Sequence, residues 1–127
     1  MYLQDLKEKG DFLSENQLIL WFTQLLMALN YIHQNRIIHR DIKTSNIFIT
    51  QAGNIKLGDF GISKVLINTN QKAFTLVGTP FYLSPEMCES KPYSFQSDMW
   101  SVGCVLFEMA SLSVFLQFII IYLTETL

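Results

Sequence analysis

The stretch His39-Arg40-Asp41-Ile42-Lys43-Thr44-Ser45-Asn46, with Asp59-Phe60-Gly61 after it, decides how this chain is read. Two carboxylates, a lysine and an amide fall in or just after it, with Ile37-Ile38 leading in and Ile47-Phe48-Ile49 leading out. Taken singly, each residue has an ordinary structural reading. Asp41 could be a surface ion pair with Arg40, Asn46 a turn residue, and Asp59-Phe60-Gly61 a tight turn. Their joint order, flanking a predicted hairpin, leaves little room for that reading.

On the N-terminal side, residues 2–9 fit a short helix closed by Gly10. Ser14 and Gln17 then fit a capping box, with Leu13 and Leu18 at the positions of a hydrophobic staple. Leu18, Trp21, Phe22, Leu25, Leu26, Leu29 and Ile32 recur at three- and four-residue steps, which predicts a core-packing helix to about residue 34. His33 falls at its end, where a capping role is expected rather than metal ligation.

On the C-terminal side, Ile47-Phe48-Ile49 and Ile55-Lys56-Leu57 are strand-like, and Thr50-Gln51-Ala52-Gly53-Asn54 between them predicts a hairpin turn. Residues 62–83 carry no period and read as a long loop, a kind of segment that is usually functional or disordered. From about Ser94 the chain reads as helix again. Met99, Trp100, Val102, Cys104, Val105, Leu106, Phe107 and Met109 cover almost every face, so a helix buried all round is expected, with Trp100 in the core.

The 127 residues make one domain-sized unit. A net charge of −2 with 16% charged residues lacks the basic stripe of a nucleic-acid-binding protein. The 50% apolar content is high for a small soluble domain and suggests surface meant to be covered. Cys88 and Cys104 have no metal-ligand spacing and are expected to be buried thiols in a reducing compartment. Residues 1–10 carry Asp5, Lys7, Glu8 and Lys9 and do not read as a secretory signal, so cytoplasm or nucleus is the expected location.

Transfer of a γ-phosphoryl group is mostly positioning and charge neutralisation. A carboxylate must orient the attacking hydroxyl, hard oxygens must hold magnesium, and a cation must meet charge on the transferring group. By residue type, Asp41 suits the first role, Asn46 and Asp59 the second, and Lys43 the third.

With these residues stand Gly78-Thr79-Pro80-Phe81-Tyr82-Leu83-Ser84-Pro85-Glu86 and Ser97-Asp98-Met99-Trp100-Ser101-Val102-Gly103. On all of them, residues 1–112 resemble part of the large lobe of a eukaryotic protein kinase. Leu57-Gly58-Asp59-Phe60-Gly61-Ile62, the Tyr82–Glu86 ending and Lys91-Pro92-Tyr93 resemble the NIMA-related serine/threonine kinases in particular. Lys43 together with Gly78-Thr79 resembles the serine/threonine branch rather than the tyrosine branch.

The resemblance implies an α+β fold, mainly α-helical, with a short β-hairpin carrying the catalytic loop. It implies ATP and Mg2+ as cofactors and protein substrates as partners. By position, Asp41 would orient the substrate hydroxyl, Lys43 would approach the γ-phosphate, and Asn46 and Asp59 would each hold a magnesium ion. Phe48 would lie beneath the adenine, His39 would stack with Phe60, and Asp98 would fix the backbone of the catalytic loop. Arg40 would receive a phosphate on the activation loop, with Thr75 the leading phosphosite ahead of Thr69 and Ser63. Thr79 would line the pocket for the residue after the phosphoacceptor and contact Asp41.

The chain also departs from that family. No G-x-G-x-x-G occurs in it, and the strand lysine, its glutamate partner and the adenine-gripping hinge have no counterpart. Residues 1–112 are therefore expected to be a partial kinase domain whose isolated chain is inactive or severely impaired. Residues 113–127 read as a divergent hydrophobic tail, aggregation-prone but shorter than the ~20 apolar residues of a membrane span. The arginine that pairs with the family's glutamate at Glu86 would lie in the replaced region, so Glu86 is expected to lack a partner. Two other readings compete with a kinase. One is a non-catalytic product that associates with a full-length kinase or competes for its partners; the other is a poorly folded product without a role.

Overall fold

The apolar period between Leu18 and Ile32 requires a facing partner, and the computed structural model supplies one from the far end of the chain. It describes residues 8–60 and 81–112, together with Leu6 and the backbone of Lys64, Val65 and Pro80. Helix α1 runs over Glu15–Gln34, and the Ser14 side chain caps it by accepting the Gln17 N–H at 3.3 Å. It buries Trp21, Leu25, Leu29 and Ile32 against Val102, Val105 and Met109 of a later helix. Leu25, Leu29, Val102 and Val105 are at most 2% exposed, and each contributes about 1.5–3 kcal/mol by leaving water. The helix ends where Asn35 turns back on the Tyr31 carbonyl and Arg36 takes a left-handed φ of 59°.

Two short antiparallel ladders follow. Strand β1 (Ile37–Ile38) pairs with β4 (Lys64–Val65), Ile37 opposite Val65 and Ile38 opposite Lys64. Strands β2 (Ile47–Ile49) and β3 (Ile55–Leu57) form the expected hairpin, with Phe48 opposite Lys56. Its turn closes through Thr50 N–H to the Asn54 carbonyl at 2.7 Å, and Gly53 supplies the left-handed φ of 78° that the reversal needs. The hairpin is fastened to α1 by polar contacts. Trp21 Nε1 donates to the Gly53 carbonyl at 2.8 Å, while Gln24 donates to Asn54 Oδ1 and accepts the Ile55 N–H, both at 2.8 Å.

Helix α2 (Pro85–Cys88) is short and begins with proline, whose fixed φ suits a first helical turn. Helix α3 (Phe95–Ser111) starts in a reciprocal box between Ser94 and Ser97 and stops at Leu112, in left-handed geometry with φ 55°. A second, smaller core joins Ile38, Met87 and Tyr93 beneath Leu83 and Phe95.

Three expectations need correction. Helix α3 is not buried all round: Met99 is 48% and Trp100 39% exposed, so Trp100 is not a core residue. Composition made every face apolar, but α1 covers only the side carrying Val102, Val105 and Met109, and the side carrying Met99 and Trp100 faces outward. Cys88 is exposed, because it ends the four-residue α2 outside the second core, whereas Cys104 is buried and burial pushes its thiol up. The span 62–83, read as loop, contributes β4 and a 3-10 turn at Pro80–Tyr82; two-residue strands carry no detectable period. Among the described residues no helix is long and apolar enough to cross a membrane, and residues 113–127 lie outside them.

The α1–hairpin fastening gives a first prediction. Trp21→Phe keeps the apolar ring but removes the N–H that meets Gly53, and is expected to cost about 1 kcal/mol. Urea denaturation of the two proteins measures it.

Candidate active site

The segment between β1 and β2 makes almost no regular structure, and one carboxylate replaces the missing ladder. Asp98, 0% exposed in the first turn of α3, receives four donors. His39 N–H and His33 Nε2 reach Oδ2 at 2.9 and 2.8 Å, and Arg40 N–H and the Tyr93 hydroxyl each reach Oδ1 at 3.0 Å. Charge-assisted bonds of this kind are the strong class. They hold Arg40 in a left-handed φ of 73°, which a non-glycine residue adopts only under constraint. Burial, with the Asp98 charge added, pushes the Tyr93 phenol far above its ordinary value and keeps it a donor.

This placement corrects the reading of His33. It sits in the last turn of α1 as expected, but its ring ties α1 to α3 through Asp98 rather than capping a helix end. Folding brings together a histidine and an aspartate 65 positions apart, which no local signal could announce.

Suspended this way, the loop places its chemistry on one side. His39, fully buried, accepts the Asp41 N–H at Nδ1 (3.3 Å) and donates from Nε2 to the Gly58 carbonyl at 3.0 Å. Its ring meets Phe60 with centroids 4.8 Å apart. Asp41 is half-buried, and its Oδ2 accepts from Lys43 Nζ at 2.8 Å and Asn46 Nδ2 at 3.0 Å. Asn46 also donates to the Asp41 carbonyl at 2.8 Å, so its amide nitrogen is committed to Asp41 and its amide oxygen is the atom left for a cation. Gly58 N–H donates to the Asn46 carbonyl at 3.0 Å, which sets Asp59 one residue from the Asn46 backbone. Asp59 is exposed, with a left-handed φ of 60°. An amide oxygen and a carboxylate are the hard donors that Mg2+ takes when phosphates and water complete its shell.

Phe48 projects from β2 and is 51% exposed, its ring edge lying over Gly58, where an added Cβ would come within 2.7 Å of Cε2. The buried Arg40 guanidinium lies 5.9 Å from the Tyr93 ring centroid. Arg40 and Asp41 line a small cleft with Ile42, Tyr82, Leu83, Tyr93 and Ser101. The structure thus brings Asp41, Lys43, Asn46 and His39 into direct contact, with Asp59 brought near by the bond from its neighbour Gly58 to the Asn46 carbonyl. Ser63, Thr69, Thr75 and Thr79 lie outside the described residues.

Sequence reasoning missed one group. Thr44, Tyr82 and Glu108 converge beside the cleft, with the Tyr82 hydroxyl and Thr44 Oγ1 both donating to Glu108 Oε2. Burial, reinforced by the bond to Glu108, raises the Tyr82 phenol well above its ordinary value. Glu86 is a further correction, since it does have a partner: the Ser97 hydroxyl donates to Oε1 at 2.7 Å. Burial alone would raise its carboxyl, but that bond, local hydrogen bonds and the charge of Lys91 together hold it below its ordinary value.

The protein kinase domain profile matches residues 1–118. The chain belongs to the protein kinase family. It is 51% identical over 105 residues to serine/threonine-protein kinase Nek1 of Mus musculus, covering 83% of this chain and 9% of that protein. Against serine/threonine-protein kinase Nek4 of Mus musculus the identity is 48% over 112 residues, covering 88% of this chain and 14% of the relative. Against serine/threonine-protein kinase Nek5 of Homo sapiens it is 50% over 107 residues, covering 84% and 15%. The kinase chain described here thus spans a small fraction of the length of the relatives it matches, and the NIMA-related resemblance holds over most of its own length.

Two outcomes follow from the site's electrostatics. Asp98→Asn presents an amide N–H2 to donors, so at least one side of the four-donor cluster loses its acceptor. A loss of about 3 kcal/mol is expected in denaturant unfolding. For Glu86, a folded-state pKa below the ordinary 4.5 means that the carboxylate form stabilises the fold above that pH. That contribution is lost as pH falls through the lowered value. Glu86→Gln is therefore expected to melt below the parent at about pH 7, and the difference is expected to shrink steadily as the pH is lowered into the acid range.

Proposed function

We propose that these residues form the phosphoacceptor and metal side of a serine/threonine protein kinase active site, which transfers the γ-phosphate of ATP to hydroxyls of protein substrates. The observation that carries this reading is the joint hold on Asp41 by Lys43 and Asn46, on a loop suspended from Asp98. Asp41 orients the incoming hydroxyl and takes its proton as the bond to the γ-phosphorus forms and the bond from that phosphorus to the bridging oxygen breaks, releasing ADP. Lys43, at the same carboxylate, is placed to meet charge on the transferring group. Asn46 and Asp59 supply the oxygens for magnesium, which when bound neutralises phosphate charge. Phe48 offers an exposed apolar ring for the base of the nucleotide. Arg40 is buried beside the cleft, and by the family resemblance it would receive a phosphate carried at Thr75, with Thr79 serving the substrate side.

No residue of the described part covers this face from above: Phe48, Ile49 and Phe60 are all exposed. The 127 residues alone are therefore proposed to grip ATP weakly and to transfer phosphate slowly or not at all. The same uncovered faces, with Ile19, Leu20, Met27 and Tyr31 on the outside of α1, support a second reading, in which the chain associates with a full-length kinase or its partners. For location, the proposal stays with cytoplasm, nucleus or cytoskeleton.

A titration of the 15N-labelled chain with Mg-ATP tests the site. Shifts at the Asn46, Phe48 and Asp59 amides are expected at millimolar nucleotide, and Asp59→Ala is expected to abolish them. No shifts at saturating nucleotide would sink the assignment. In a phosphotransfer assay on a serine peptide the chain is expected to give no turnover above background. Turnover that Asp41→Asn abolishes would confirm the chemistry and overturn the proposed weakness of the isolated chain.

A further inference from the structure

The Thr44–Tyr82–Glu108 group has no part in the mechanism above, yet it joins three separate pieces of the molecule. Glu108 sits near the end of α3, two helical turns beyond Ser101 on the same side. Tyr82 lies along that side and is gripped at both ends: its carbonyl accepts from Ser101 Oγ at 3.0 Å, and its hydroxyl donates to Glu108 Oε2. The Pro80–Tyr82 turn is thereby fixed on α3. From the other direction comes Thr44, the first residue of the 3-10 turn Thr44–Asn46 that follows Lys43. Its hydroxyl reaches the same Oε2 at 3.1 Å and lies 3.3 Å from the Tyr82 oxygen.

We propose that Thr44 is a positioning residue that couples the Pro80–Tyr82 turn to the loop carrying Asp41, Lys43 and Asn46, by sharing the Glu108 carboxylate with Tyr82. The two donors together pin one carboxylate oxygen in place, so removal of either frees the Glu108 side chain and loosens the seat of the other. Thr44 has short leverage. Asn46 N–H closes the turn on the Lys43 carbonyl at 3.0 Å, so movement at Thr44 is felt directly by the residues either side of it that hold Asp41. The group also lies on the rim of the cleft, which Tyr82 lines together with Arg40 and Asp41. A change in the 80–84 segment therefore reaches the catalytic loop through a hydroxyl and a carboxylate, without contact with Asp41 itself. The reaction this coupling serves is the one proposed above, but the coupling itself is read without turnover.

Amide hydrogen exchange on the full 127-residue chain tests it. The reporters are Asn46 N–H, bonded to the Lys43 carbonyl, and Met87 N–H, bonded to the Ser84 carbonyl; Leu29 in the α1 core is the control. Tyr82→Phe is expected to speed exchange at Asn46 by ~5-fold, and Thr44→Val to do the same at Met87, with Leu29 unchanged. Thr44→Ser, which keeps the donor, is expected to hold both within ~2-fold of the parent. Exchange at Asn46 unmoved by Tyr82→Phe would overturn the coupling, and so would an equal rise at Leu29, which marks general loosening instead. Failure of the kinase reading leaves a different trace: no Mg-ATP shifts at Asn46 and Asp59, with the exchange rates as expected here.

Discussion

The Asp98 carboxylate is the constraint from which the rest of the site follows. A charge removed from water costs several kcal/mol unless its lone pairs are met. Here they are met by two consecutive backbone N–H groups, an imidazole and a phenol. The benefit runs both ways. The loop after β1 cannot use ladder hydrogen bonds, so without Asp98 its buried N–H groups would be orphaned. One side chain thus makes an irregular, buried loop affordable, and binds α1, α3 and the loop after β1 into a single object.

Around that anchor the backbone is held in conformations it would not choose. Arg40 and Asp59 both adopt left-handed φ values, and neither is glycine. They stand at the two places where the chain must aim functional side chains off an otherwise extended path. The His39 imidazole joins these places, accepting from Asp41 on one side and donating to Gly58 on the other. Such strain persists only where surroundings over-determine it. Here the surroundings are the two hydrogen bonds of one ring, the packing of Phe60 on it, and the four bonds to Asp98.

How much of this was legible in the sequence depends on the range of the cause. Helix α1 was legible because its period is local, and the hairpin because turn chemistry is local too. The residues around Asp41 stood out because their types and order suit phosphoryl transfer, and the structure brings Asp41, Lys43 and Asn46 into contact. What stayed hidden depends on distant partners. Whether Trp100 is covered is decided by which side α1 occupies, and His33 declares its role only when Asp98 arrives beside it. Glu86 finds Ser97, and Thr44 finds Glu108, across separations that no pattern spans. Cys88 is exposed for another reason: a general preference of cysteine for the interior says nothing about the end of a single-turn helix.

The distance between the loop after β1 and its anchor has a further meaning for the order of events in folding. His39 N–H and Asp98 are 59 positions apart, and a contact of that separation forms late, because the intervening chain must first be brought together. A ribosome releases the loop well before it has made α3. The residues around Asp41 are thus made before α3 and set in place only once it arrives. Until α3 docks, Asp41 is an ordinary aspartate on an unanchored stretch of chain.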